Sequence, residues 1–90
     1  MTVINYSESE GEHYVDVIMN GTNYTFVFIK QGDHGAYAKS LLIDGFSLAP
    51  SNSREKIEAY GQARRRLCDE VDEIEDVYIP SNATIVFDAE

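Results

Sequence analysis

One cysteine, two prolines, two histidines, no tryptophan and seven basic side chains against sixteen acidic ones are all that 90 residues supply of these types. Each shortage excludes something. Cys68 is alone, so there is no internal disulfide framework. Acids beside it raise rather than lower a thiol pKa, and a core or boundary thiol is expected there, not a nucleophile. His13 and His34 are a whole hairpin apart, without His-x-His or His-x-x-x-His spacing, and a single Cys does not complete a zinc set. His13 reads as a strand-surface residue and His34 as a loop residue. No apolar run approaches the roughly 20 residues that cross a bilayer. Met1–Glu8 has neither the basic leader nor the apolar run of a secretory signal, so the expected setting is cytoplasmic. The sequons at Asn20, Asn23 and Asn82 then reflect a Thr- and Asn-rich sheet rather than glycosylation.

Catalytic signatures are lacking as well. Ser40, Ser47, Ser51 and Ser53 have no G-x-S-x-G context. Gly32 and Gly35 lie in a loop that does not open a phosphate-cradling helix. The acids from Asp69 to Asp76 lack the alternating oxygen ligands and central glycine of a calcium loop. A general acid needs a desolvated pocket to tune it, and the clustered acids read as solvent-facing. The expectation is a protein that is not an enzyme and carries no cofactor or metal.

Acidity is what the chain has in excess. A formal charge of −9 argues against direct contact with nucleic acid or an anionic membrane, both of which would repel it. It favours a basic protein surface. A hydrophobic fraction of 43% is ordinary for a folded domain, and residues 1–90 make one such domain.

The periodicity predicts one helix over residues 53–76. Ile57, Tyr60, Ala63, Leu67, Val71 and Ile74 recur at three- and four-residue steps. Asn52 is placed to cap it, with Glu55 completing a capping box. Its charge changes sign along the axis, from Arg54, Lys56 and Arg64–Arg66 to Asp69, Glu70, Asp72, Glu73, Glu75 and Asp76. Acids late in a helix oppose its macrodipole. The Arg65/Asp69 and Arg66/Glu70 pairs offset little, because the basic residue comes first. At 100° per residue, Asp69, Asp72, Glu73 and Asp76 form one outward ridge.

Everything else reads as sheet or turn. Thr2–Ser7 is a short first strand, followed by a polar turn over Glu8–Glu12. Asn20-Gly21 between two β-rich runs, His13–Met19 and Thr22–Lys30, is the strongest local signal, a type I′ hairpin. Its register puts Val15, Val17, Met19, Tyr24, Phe26 and Phe28 on one face, toward the helix. Tyr14, Ile18, Val27 and Ile29 lie on the other, more apolar than a wet sheet face usually is. Residues 36–43 fit a strand through Tyr37, Leu41 and Ile43, or a short helix between Asp33 and Gly45; the meander favours strand. Phe46–Leu48 can fold back briefly, Val77–Pro80 is an extended connection, and Ala83–Asp88 alternates as a last strand. The sum is an α+β fold: a small antiparallel sheet of about four to five strands packed against one main helix.

The function expected is an acidic binding module that occupies a basic, nucleic-acid-binding surface of another protein. Asp69, Asp72, Glu73, Asp76 and Glu70 would steer and pair with Arg and Lys, while Tyr14 and Tyr37 would supply contact area. In size and charge the chain resembles small acidic phage-encoded inhibitors of host defence nucleases, including some anti-CRISPR proteins, and other nucleic-acid mimics. The likeness implies inhibition by occupation. The alternative is a homodimeric structural or assembly protein that uses the apolar sheet face.

Overall fold

Asn20 and Gly21 have φ angles of 50° and 81°, the two positive values that a type I′ turn requires. They join β2 (Glu12–Met19) to β3 (Thr22–Gln31), with Met19 opposite Thr22, Val17 opposite Tyr24 and Val15 opposite Phe26. That is the register the dipeptide predicts. The computed structural model describes residues 2–45 and 53–79. A second two-residue turn, Glu10-Gly11, has φ angles of 52° and 83° and joins β1 (Thr2–Ser9) to β2. The first strand therefore runs two residues further than its composition suggests.

Residues Gly35–Ile43 form β4. Its pairing with β3 shifts at Val27/Phe28: Phe26 faces Leu41, Val27 faces Ser40, but Phe28 faces Ala38. Lys39 is the extra residue of a β-bulge. The bulge switches the inward parity, so Ala36 and Ala38 point to the core on one side of it and Leu41 and Ile43 on the other. A strand whose period breaks in the middle looks helical to a pattern reader, which is why this segment is ambiguous in sequence.

After α1 (Ser53–Glu70), the chain returns as β5 (Asp76–Tyr78). The sheet order is β1-β2-β3-β4-β5. The first four strands are antiparallel, and β5 is parallel to β4, with Ala36 opposite Val77 and Tyr37 opposite Tyr78. Parallel neighbours need a long crossover, and α1 is part of it. The fold is α+β, and the sheet is mixed rather than wholly antiparallel. The expected Asn52 cap, the Phe46–Leu48 return and the Ala83–Asp88 strand lie outside the described residues.

Ala59, Ala63 and Leu67 are fully buried on the sheet face that carries Val15, Val17, Phe26 and Phe28. Two alanines on the helix leave room for the aromatic rings beneath, and the Tyr60 ring lies 5.8 Å from Phe26 and 6.3 Å from Phe28. Three expectations need correction. Ile57 is 54% exposed, because it sits roughly 120° around the helix from Ala63. His13 is buried on the helix-side face, not at a strand surface, and its Nδ1 lies 2.8 Å from the Tyr6 hydroxyl. The third correction concerns the helix end. The helix stops at Glu70, not Asp76. Only Val71 extends it, by an amide bond of 2.9 Å to the Leu67 carbonyl, before Ile74 N turns back to Val71 O at 3.0 Å.

Local and tertiary forces agree on that stop. No basic residue lies in the last turn of α1, so continuing would add acids to the negative end of the dipole. Meanwhile the amides of Glu75 and Asp76 donate to the His34 carbonyl at 2.7 and 3.2 Å, drawing the chain into the sheet. Ile74 still reaches the core, at 2% exposure, but from a turn rather than from the helix stripe.

Candidate functional site: an acidic end of the sheet

A meander places alternate turns at the same end of the sheet. β2 begins at Glu12 opposite Ile29, β4 at Gly35 opposite Gln31, and β5 at Asp76 opposite Gly35. The Glu10-Gly11 turn, the loop containing Asp33 and His34, the end of α1 and the link into β5 therefore meet at one end. They bring ten carboxylates with them: Glu8, Glu10, Glu12, Asp33, Asp69, Glu70, Asp72, Glu73, Glu75 and Asp76. Glu8 and Glu70, far apart in sequence, both raise the Tyr6 hydroxyl pKa, second to the effect of its burial.

The ridge expected on the helix is thus replaced by a rim. Asp69 and Glu70 are the last residues of α1, Asp72 and Glu73 form a turn, and Asp76 opens β5. All five are exposed at the acidic end, but they do not share one helical row.

Three cations reach the rim. Lys30 Nζ lies 2.7 Å from Glu73, Lys39 Nζ 2.6 Å from Glu12, and Arg66 Nε 2.7 Å from Glu70. The hydrogen bond from Lys30 holds the Glu73 carboxyl below its ordinary range, and the bond from Lys39 does the same for Glu12. His34 Nδ1 approaches Glu75 at 3.5 Å. Glu8, Glu10, Asp33, Asp69, Asp72 and Asp76 have no ion-pair partner among the described residues. Surface pairs of this kind contribute roughly 0–1 kcal/mol each, so the rim is not built for stability.

Beside the rim, on the sheet face away from α1, Glu12, Ile29, Tyr37 and Tyr78 stand in one cross-strand row. The Tyr37 and Tyr78 rings are 6.2 Å apart, and the Tyr78 hydroxyl donates to the Gln31 side chain. Tyr14 lies one step inward, its hydroxyl donating to Glu12 Oε1 at 2.6 Å. Tyr14 and Tyr37 are half-buried, while Tyr78 is 47% exposed. No described element forms a second layer over this face, since the described helix packs on the other.

A groove of about 660 Å³ runs between α1 and β5, lined by Arg64, Arg65, Cys68, Glu75, Asp76 and Val77 among others. It shares Glu75 and Asp76 with the rim and sets Arg64 and Arg65 beside them. Burial is the main cause that pushes the Cys68 thiol up, with Asp69 and Asp76 adding to it. Among the described residues no group of His, Cys, Asp and Glu is placed to hold a metal ion, and no helix is long and apolar enough to cross a membrane.

Sequence reasoning grouped the acids after residue 68 but did not bring Glu8, Glu10, Glu12 and Asp33 to them. The signal that finds them is topological. In a meander, the turn after β1 and the turn after β3 fall at the same end. No family model, curated protein or solved structure matches the chain.

Proposed function

We propose that this protein is a non-enzymatic, cytoplasmic binding module whose acidic end occupies a basic, nucleic-acid-binding surface on another protein and inhibits it, in the manner of phage-type anti-defence or anti-CRISPR-like inhibitors and nucleic-acid mimics. The observation that carries this reading is the convergence of ten carboxylates from four chain segments, six of them without an ion-pair partner among the described residues. Like charges gathered at one place raise the energy of the free protein. A cationic partner would relieve that repulsion on binding. Glu8, Glu10, Asp33, Asp69, Asp72 and Asp76 would steer the encounter through long-range attraction, and Tyr78, Tyr37 and Tyr14 would give the contact its apolar area.

The test is affinity capture from native lysate at low and high salt, with the parent and a D69K/D72K/D76K variant. The parent should retain a basic nucleic-acid-binding protein at low salt and release it at high salt, as screened charges must. The triple variant should lose at least about tenfold in retention, an amount close charge pairs readily supply. Equal retention by parent and variant at low salt would remove the acidic rim from the function.

A further inference from the structure

The two margins of the sheet differ. Toward β5 the sheet is blunted: β4 carries the bulge at Lys39, and β5 is three residues long. Bulges, lysines, short strands and prolines are the devices by which natural sheets prevent edge-to-edge pairing. Among the described residues the other margin has none of them, and no strand pairs beyond it. β1 is an eight-residue strand, Thr2–Ser9, regularly paired to β2 along its length, without proline, lysine or bulge. Val3 on it is 42% exposed, and Thr2, Asn5, Ser7 and Glu8 are exposed too.

Its hydrogen-bonding groups can be assigned. Two-residue turns make Met19/Thr22 and Ser9/Glu12 hydrogen-bonded pairs, and such pairs alternate along an antiparallel ladder. Val3, Asn5, Ser7 and Ser9 therefore bond inward to β2, leaving the amides and carbonyls of Thr2, Ile4, Tyr6 and Glu8 directed outward. Consistent with this, Arg66 Nη1 reaches the Ile4 carbonyl at 3.3 Å. A carbonyl oxygen accepts two bonds, so the arginine does not block pairing.

We infer that this edge pairs with β1 of a second copy of the chain, antiparallel about a dyad at Asn5, so that the described sheets of the two copies become continuous. An antiparallel strand pair is self-complementary, as a two-fold interface must be. With Asn5 opposite itself, Ile4 faces Tyr6 of the second copy on the helix side, extending the half-buried apolar row those residues already belong to. Thr2 faces Glu8. Both are pairs of outward-bonding residues. The charge distribution selects this register and this partner. The two Glu8 residues are then six positions apart, about 20 Å, beyond the Debye length of about 8 Å in physiological salt. The dyad also sends the two acidic ends to opposite poles. A dyad at Tyr6 would set Glu8 against Ile4 and bring the acidic ends closer. This inference is independent of what the acidic end binds.

Asn5 pairs inward, so across the dyad the two Asn5 residues form a non-hydrogen-bonded pair with Cα atoms about 4.5 Å apart, within the range of about 4.4–6.8 Å that a disulfide spans. In a Cys68→Ser background, N5C should cross-link on mild oxidation with diamide. S7C, on the same face, should not, since the two Ser7 positions would be about 13 Å apart. Sedimentation of the parent up to about 1 mM, the weak limit of a specific contact, should show a species of twice the 10.1 kDa chain mass. Circular dichroism would establish that each variant is folded. N5K, which sets two lysines against each other, should raise the dissociation constant at least about tenfold. A parent that is monomeric throughout, equal cross-linking of N5C and S7C, or a dimer indifferent to N5K but broken by Ile29→Lys on the sheet face would each overturn the proposal.

Discussion

The two ends of the sheet handle the same chemical group in opposite ways. At the Asn20-Gly21 end, carboxylates are structural. Glu55 accepts from Asn20 Nδ2 at 2.7 Å and from the Tyr24 hydroxyl, tying the start of α1 to the hairpin. Asp44 accepts from the Asn23 amide at 2.9 Å while its own amide donates to the Asn23 carbonyl at 2.8 Å. At the other end, ten carboxylates meet and six lack an ion-pair partner among the described residues. Acidity here is therefore not a uniform coat that keeps a small protein dispersed. One end spends its acids on the fold, and the other leaves them available.

That contrast can be broken or sharpened by experiment. The largest effect belongs to what both ends rest on: Phe28→Ala removes a fully buried ring beneath Tyr60. It should cost about 3–5 kcal/mol, read as a lowered urea midpoint. Next, Glu55→Ala strips the buried Tyr24 hydroxyl of its described acceptor, whereas Glu73→Ala removes only an exposed pair. The first should lower the midpoint clearly more than the second. Equal losses would mean that the ends do not differ as described.

The smallest effect is a pH dependence. Hydrogen bonds from Tyr24 and then Asn20 hold the Glu55 carboxyl below its ordinary value of 4.5. A group whose pKa is depressed by folding stabilises the fold fully above its unfolded value, and that stability is lost as pH falls through the folded value. The melting temperature of the parent should therefore drop more steeply below pH 4.5 than that of Glu55→Gln. Comparing the two cancels the repulsion common to both. Parallel acid limbs would show that the contact contributes nothing.

Much of this architecture is legible in the sequence. The Asn-Gly turn dictates a register, the register sorts Val15, Val17, Phe26 and Phe28 from Tyr14, Ile18 and Val27, and Ala63 and Leu67 fall on the expected helical stripe, which Ala59 rather than Ile57 continues into the core. What misled was the end of the helix. Val71 and Ile74 keep the apolar spacing, so the pattern continues past Glu70 although the helix does not. A period records which residues seek the core, not the backbone that carries them there, and Ile74 arrives from a turn. Similarly, His13 looks like a surface residue until the β1 pairing supplies Tyr6 as its partner.

The chain alone thus determined its local geometry and its charge: where it turns, which side chains are apolar together, and that acids outnumber bases by nine. Those follow from short-range sterics and composition, which need no knowledge of distant neighbours. Only the tertiary structure decided that Glu8–Glu12, Asp33 and the acids after residue 68 form one surface, and that β1 and β5 are the two outer strands of the described sheet. Both depend on strand order and on a parallel return after α1. Those are set by how the whole chain closes its core, and no single segment carries the information.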